Sequence, residues 1–157
     1  MNEYGMAEME RRLANVMRIA TITEVDPGAA RARVSFGGEA QSAWRPFAIA
    51  RAGGARVWAP PTQGEQVTVL SPGGDTAQGV IMGSLYSNAG TAPSSDGEAY
   101  RIDLPGGVVI EVSGGAISIT APGDVTVNGD VIADGISLTT HVHGGVLQGP
   151  DDTEEPK

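Results

Sequence analysis

The chain has 157 residues, room for one or two small domains, with 23 glycines, 4% aromatic residues and no cysteine. That composition excludes disulfides, thiolate metal sites and cysteine nucleophiles. It also leaves little for a large aromatic core, so part of the stability is expected from association with other chains. The net charge of −9 is lopsided: eight arginines balance eight acidic residues up to Gly90, whereas from Thr91 onward eleven acidic residues face only Arg101 and Lys157.

An acidic segment of this kind repels phosphate backbones, so nucleic acid is not expected as its partner. No stretch approaches the ~20 apolar residues needed to cross a bilayer. The first residues, MNEYGMAEMERRLANVM, lack the basic-then-apolar order of a secretory signal. A soluble product made in the cytoplasm is expected.

Residues 1–17 read as a helix, because Met6, Met9, Leu13, Val16 and Met17 recur at helical spacing. The segment is short and is expected to pack on a partner chain or on the next domain. The period then changes. Arg18 to Asp26 alternates apolar and polar residues, and Asp26-Pro27-Gly28 turns the chain toward Ala32, Val34 and Phe36, which predicts a β-hairpin. Further strands are expected at 43–49, 66–70 and 79–85, separated by Gly/Pro breaks. Short strands this dense predict a small closed barrel such as an OB-fold over 18–88. A linker over 89–98 follows, within the run SNAGTAPSSDG.

Beyond the linker runs a quasi-repeat of short β-branched units, each ending in glycine at 107, 115, 123, 129 or 135. Each unit offers only a few inward side chains: Val108, Ile110 and Val112, then Ile117 and Ile119, then Val125 and Val127. Units of six to eight residues are too short to wrap a core alone, since a single-chain parallel β-helix needs about 20 or more residues per coil. They suit one face of a three-chain prism, and 99–143 is therefore expected to form an intertwined trimeric β-helix spike. An antiparallel meander within one chain is the plainer alternative. Residues 144–157 make an apex cap and acidic tail. The fold class is all-β: an OB-fold barrel followed by a trimeric needle, with a short N-terminal helix.

His141 and His143 are the only histidines. On a strand, residues i and i+2 share a face, so both imidazoles would point the same way. Two ligands from one chain make a weak metal site, but two from each of three chains give an octahedral set of six nitrogens. Such a set suits Fe²⁺, with Ni²⁺ or Co²⁺ plausible on the same grounds, better than tetrahedral zinc. With every coordination position filled, the metal would be a structural clamp.

The stretch from His141 to Pro156 resembles the tip of the baseplate assembly protein V family, the central spikes of contractile phage tails and related devices. His141, His143, Gly145, Val146, Gly149, Thr153 and Pro156 match its apex pattern. Trp58-Ala59-Pro60-Pro61, Gly64-Glu65-Gln66-Val67, Leu70-Ser71-Pro72, Gly79-Val80-Ile81 and Leu85-Tyr86 look like its OB-fold segment. The resemblance implies a homotrimer whose collar docks on the tail-tube or baseplate hub. Its needle would hold one iron per trimer between His141 and His143 of each chain, and sheath contraction would drive it through a bacterial outer membrane. It implies a virion component at the baseplate tip, assembled in the host bacterial cytoplasm. Some members carry a lysozyme domain between collar and needle; this linker is too short for one.

No enzyme is expected and no small-molecule substrate, because the two histidines belong to the tip and no serine sits in a nucleophile elbow. Two other readings have some support in the sequence. Trp44, Phe47 and Trp58 beside Arg45, Arg51 and Arg56 supply pieces of a groove for single-stranded nucleic acid, although filling a small barrel explains the aromatics better. A glycan-binding tail fibre would want exposed aromatics, and no Phe, Trp or Tyr follows Arg101.

Overall fold

The computed structural model describes residues 3–142 and 144–145. They divide into two units, one up to Ser95 and the other from Asp96. Among the described residues, all the buried hydrophobic residues lie in the first unit, and they follow the alternation of the sequence. Ala20 and Ile22 come from β1 (Met17–Asp26), Ala32 and Val34 from β2 (Arg31–Ser35), Val67 and Val69 from β4 (Gln66–Leu70), and Ile81 from β5 (Val80–Leu85). Successive side chains on a strand face opposite ways, so each strand contributes every second residue to one interior.

With β3 (Arg45–Pro46) these strands form an antiparallel sheet in the order β3-β2-β1-β4-β5. The two outer strands meet through a bridge between Phe47 and Ile81, where the Ala48 N–H donates to the Ile81 carbonyl at 2.7 Å. That contact closes the sheet into the expected barrel, and closure leaves no open sheet edge. Val25, Phe36 and Phe47 pack against the core from its rim. The expected strand at 43–49 shortens to two residues because Pro46 has no N–H to continue a ladder. The chain crosses to Ile81 instead.

The helix α1 (Glu3–Val16) appears nearly where the spacing put it. Glu8 accepts from Arg11 at 2.8 Å and from Arg12 at 2.7 Å, and these bonds, Arg11 first, hold its carboxyl down to about 2. The last turn of the helix meets the barrel, while Met6, Met9 and Leu13 stay exposed. A Cβ added to buried Gly74 would overlap the backbone carbonyl of Arg12, and Gly74 has φ +72°. The Ser71 N–H also donates to the Val16 carbonyl at 2.7 Å. Gly74→Ala therefore meets both a backbone clash and a left-handed φ. We expect a loss of about 2–4 kcal/mol of collar stability, read as a lower urea midpoint.

In the second unit, β6 (Tyr100–Leu104), β7 (Val108–Ser113) and β8 (Ala116–Thr120) form an antiparallel meander in the order β6-β7-β8. Positive-φ glycines make its turns, Gly106 and Gly107 before β7, Gly114 and Gly115 before β8. The next unit of the repeat, 124–129, forms no strand. Its two apolar residues, Val125 and Val127, have no strand beside them among the described residues. The repeat resumes as a two-residue hairpin of β9 (Ile132–Ala133) and β10 (Ile136–Ser137), turned by Asp134 at φ 50° and Gly135 at φ 80°. Within one chain, then, the repeat is a meander with a short hairpin beyond it.

Candidate functional site

Cross-strand partners share a face of a sheet, so the register of the meander sorts its side chains. Tyr100 pairs with Val112, Ile102 with Ile110 and Leu104 with Val108; Val112 then pairs with Ile117 and Ile110 with Ile119. One face therefore carries only Tyr, Ile, Leu and Val. The other carries Arg101 opposite Glu111, joined at 2.8 Å, with Arg101 Nε also donating to Asp103 at 2.6 Å. The sheet is amphipathic, with Val109 and Ala116 the apolar exceptions on the charged face.

Among the described residues, nothing in its own unit buries the apolar face. No described residue from Asp96 onward is buried, and Ile117 and Ile119 are 75% and 58% exposed. Val125 and Val127, expected to point inward with the others, are exposed as well. At ~25 cal/mol per Å² of apolar surface, leaving such a face in water forfeits the main source of stability a sheet has. The unit is built to be covered.

His141 follows the β9–β10 hairpin at a turn rather than on a strand. Its N–H donates to the Ser137 carbonyl at 3.1 Å, and Ser137 Oγ accepts from the Thr140 N–H at 3.0 Å. The imidazole Nδ1 lies 2.9 Å from the Ser137 carbonyl and 3.1 Å from that of Leu138. Both are acceptors, so in the neutral ring they favour the tautomer with the proton on Nδ1 and the lone pair on Nε2, the form a metal ligand needs. Asp130 accepts from the Thr139 N–H at 3.1 Å, and its carboxyl is held below its ordinary range by hydrogen bonds, from Ser137 first and then from Thr139 and Val131. His143 lies outside the described residues, as do 146–157 of the apex. Among the described residues no three metal-ligating side chains of one chain converge.

The aromatic residues singled out for nucleic acid are already engaged. The Arg33 guanidinium sits 4.6 Å over the Trp44 ring, and Phe47 and Trp58 meet at 6.1 Å. Arg45, which a basic groove would display, is buried instead.

A family model described as the type VI secretion system/phage-baseplate injector OB domain matches residues 18–86, and one described as the GpV apex motif matches 135–157. The barrel and the His141 turn thus fall in separately recognised segments. The chain is also 35% identical over 133 residues to the spike protein of Escherichia phage P2, an overlap of 82% of this chain and 63% of that protein. The chain belongs to the baseplate assembly protein V family.

The relative it matches is a spike protein, and neither matching family model describes an enzyme. The matches bear out the OB-fold barrel followed by β-structure. The chain spans about 63% of the length of the relative it matches. The sequence reading missed the burial of Arg45. No signal in the sequence announces it, because an arginine is almost never fully buried without a partner.

Proposed function

We propose that this chain is the central spike of a contractile phage-type tail, acting as a homotrimer with its barrel as collar and its C-terminal unit as needle. The observation that carries the reading is the amphipathic meander: an apolar sheet face with no buried residue in its own unit. Three copies turning these faces inward would make the core that one copy lacks, and would give each sheet neighbours for its edge strands. The Arg101, Asp103 and Glu111 face would remain in water.

At the tip, His141 and His143 of each chain would supply six imidazole nitrogens to one iron ion. The Nδ1 contacts of His141 suit that role, because they fix the ring and present Nε2 as donor. The metal would tie three chain ends together. The collar would seat on the tail hub, and contraction would push the needle through the outer membrane of the target cell. The protein would belong to the virion, assembled in the host cytoplasm.

Light scattering combined with metal analysis of the native protein tests this reading. We expect three chain masses and about one iron per three chains. A metal-free monomer at micromolar concentration overturns it.

A further inference from the structure

Arg45 stands out in the barrel. It is 5% exposed, and its Nε and Nη1 have no hydrogen-bond partner among the described residues. No ion pair between described residues includes it, whereas Arg11, Arg12 and Arg33 all have carboxylate partners. A buried, unpaired guanidinium costs several kcal/mol unless an opposite charge reaches it. The fold nonetheless makes room for it. A Cβ on Gly79 would overlap Nη1 of Arg45 and come within 3.1 Å of Val69 Cγ1. Gly79 has φ −63° and ψ 140°, a conformation open to any residue, so its missing side chain serves Arg45 and not the backbone.

Arg45 lines a cavity of about 250 Å³ that it shares with Arg18, Phe36, Gln41, Ser42 and Thr76. No acidic residue lines it. Arg18 crosses the same cavity, its guanidinium held 4.2 Å over the Phe36 ring. Both arginines thus line one small space whose lining holds no carboxylate to neutralise them. The volume suits a single small group and not a polymer. Guanidinium donors match the planar, two-oxygen geometry of carboxylate and phosphate.

We propose that the cavity between Arg18 and Arg45 is an oxyanion site that takes one carboxylate or phosphate group. The group comes either from a free anion or from an acidic side chain of a second copy of the chain. Only the second source depends on the trimer proposed above; the first stands if the protein proves monomeric.

The test uses the full chain at constant ionic strength, melted in chloride and with inorganic phosphate added. If the anion is free, phosphate raises the collar's melting temperature saturably, by roughly 10–20 °C at a hundredfold excess over its dissociation constant. Arg45→Met, which keeps the stem and removes the charge, abolishes that rise. If a second copy supplies the carboxylate, phosphate has little effect on the assembled wild type, and Arg45→Met weakens assembly about tenfold on dilution, read by light scattering. The proposal is overturned if phosphate is without effect and Arg45→Met assembles normally, or if the phosphate shift survives in Arg45→Met. Should Arg45→Met fail to fold, Arg18→Gln leaves the buried cation in place and must reduce the phosphate rise or the assembly. Wild-type values for both in Arg18→Gln overturn the site.

Discussion

Ile119→Asp is expected to convert the assembled protein into single chains. Ile119 pairs with Ile110, which pairs with Ile102, so it belongs to the continuous apolar face of the meander. It is 58% exposed in one chain, and an aspartate there costs an isolated chain little. Around a threefold axis the same change buries three carboxylates against one another in an apolar environment, at several kcal/mol each. Sedimentation or light scattering at micromolar concentration should show the mass fall to one chain, while the collar's urea transition stays unchanged. Ser118→Lys provides the control, because Ser118 pairs with Glu111 on the charged face, where a cation is tolerated, and its variant should assemble as wild type. If Ile119→Asp remains trimeric, the meander does not face the axis.

His141→Ala should eliminate bound metal and lower the temperature at which the tip melts. The imidazole must be neutral to bind, so acid also releases the ion by competition with protons. A second acid effect is separable from that one. The Asp130 carboxyl titrates lower in the fold than in an unfolded chain, chiefly through its bond from Ser137, then through those from Thr139 and Val131. A depressed carboxyl contributes stability above its unfolded value, near 3.9, and loses it as pH falls through the lower folded value. The turn that carries His141 should therefore persist after the metal has gone and loosen only below about pH 4. Asp130→Asn removes that second step but leaves acid-driven metal release in place, as metal analysis and a pH series of melting curves would show. Metal content unchanged in His141→Ala would eliminate this histidine as a ligand.

The barrel was legible where local chemistry and tertiary demand agree. Alternation over 18–26 followed by Asp-Pro-Gly leaves little choice but a hairpin, and 66–70 alternates just as cleanly. Residues 43–49 misled because the apolar content promised a strand that Pro46 cannot extend. The repeat was legible as a period, since glycine marks each turn. Its pairing was not, because alternation says which residues share a face and nothing about whether the neighbouring strand is in the same chain. At the tip, the β-branched run before His141 read as strand. Ser137 overrides it: its carbonyl and hydroxyl capture the N–H groups of His141 and Thr140, a local competition that residue type alone does not announce.

The division between a unit that holds all the buried hydrophobic residues described and one that buries none also sets the order of events during synthesis. The core residues, Ala20 to Ile81, leave the ribosome before the meander does. The collar can reach its native state as a unimolecular step while later residues are still being added. If the trimer proposed above supplies its cover, the meander cannot, since its ordering would wait on other copies and its rate would rise with their number. A dilute culture would thus accumulate chains folded at the front and unsettled at the back, exposing adhesive sheet surface until partners arrive. Expression level, more than sequence, would then decide how much of the product aggregates.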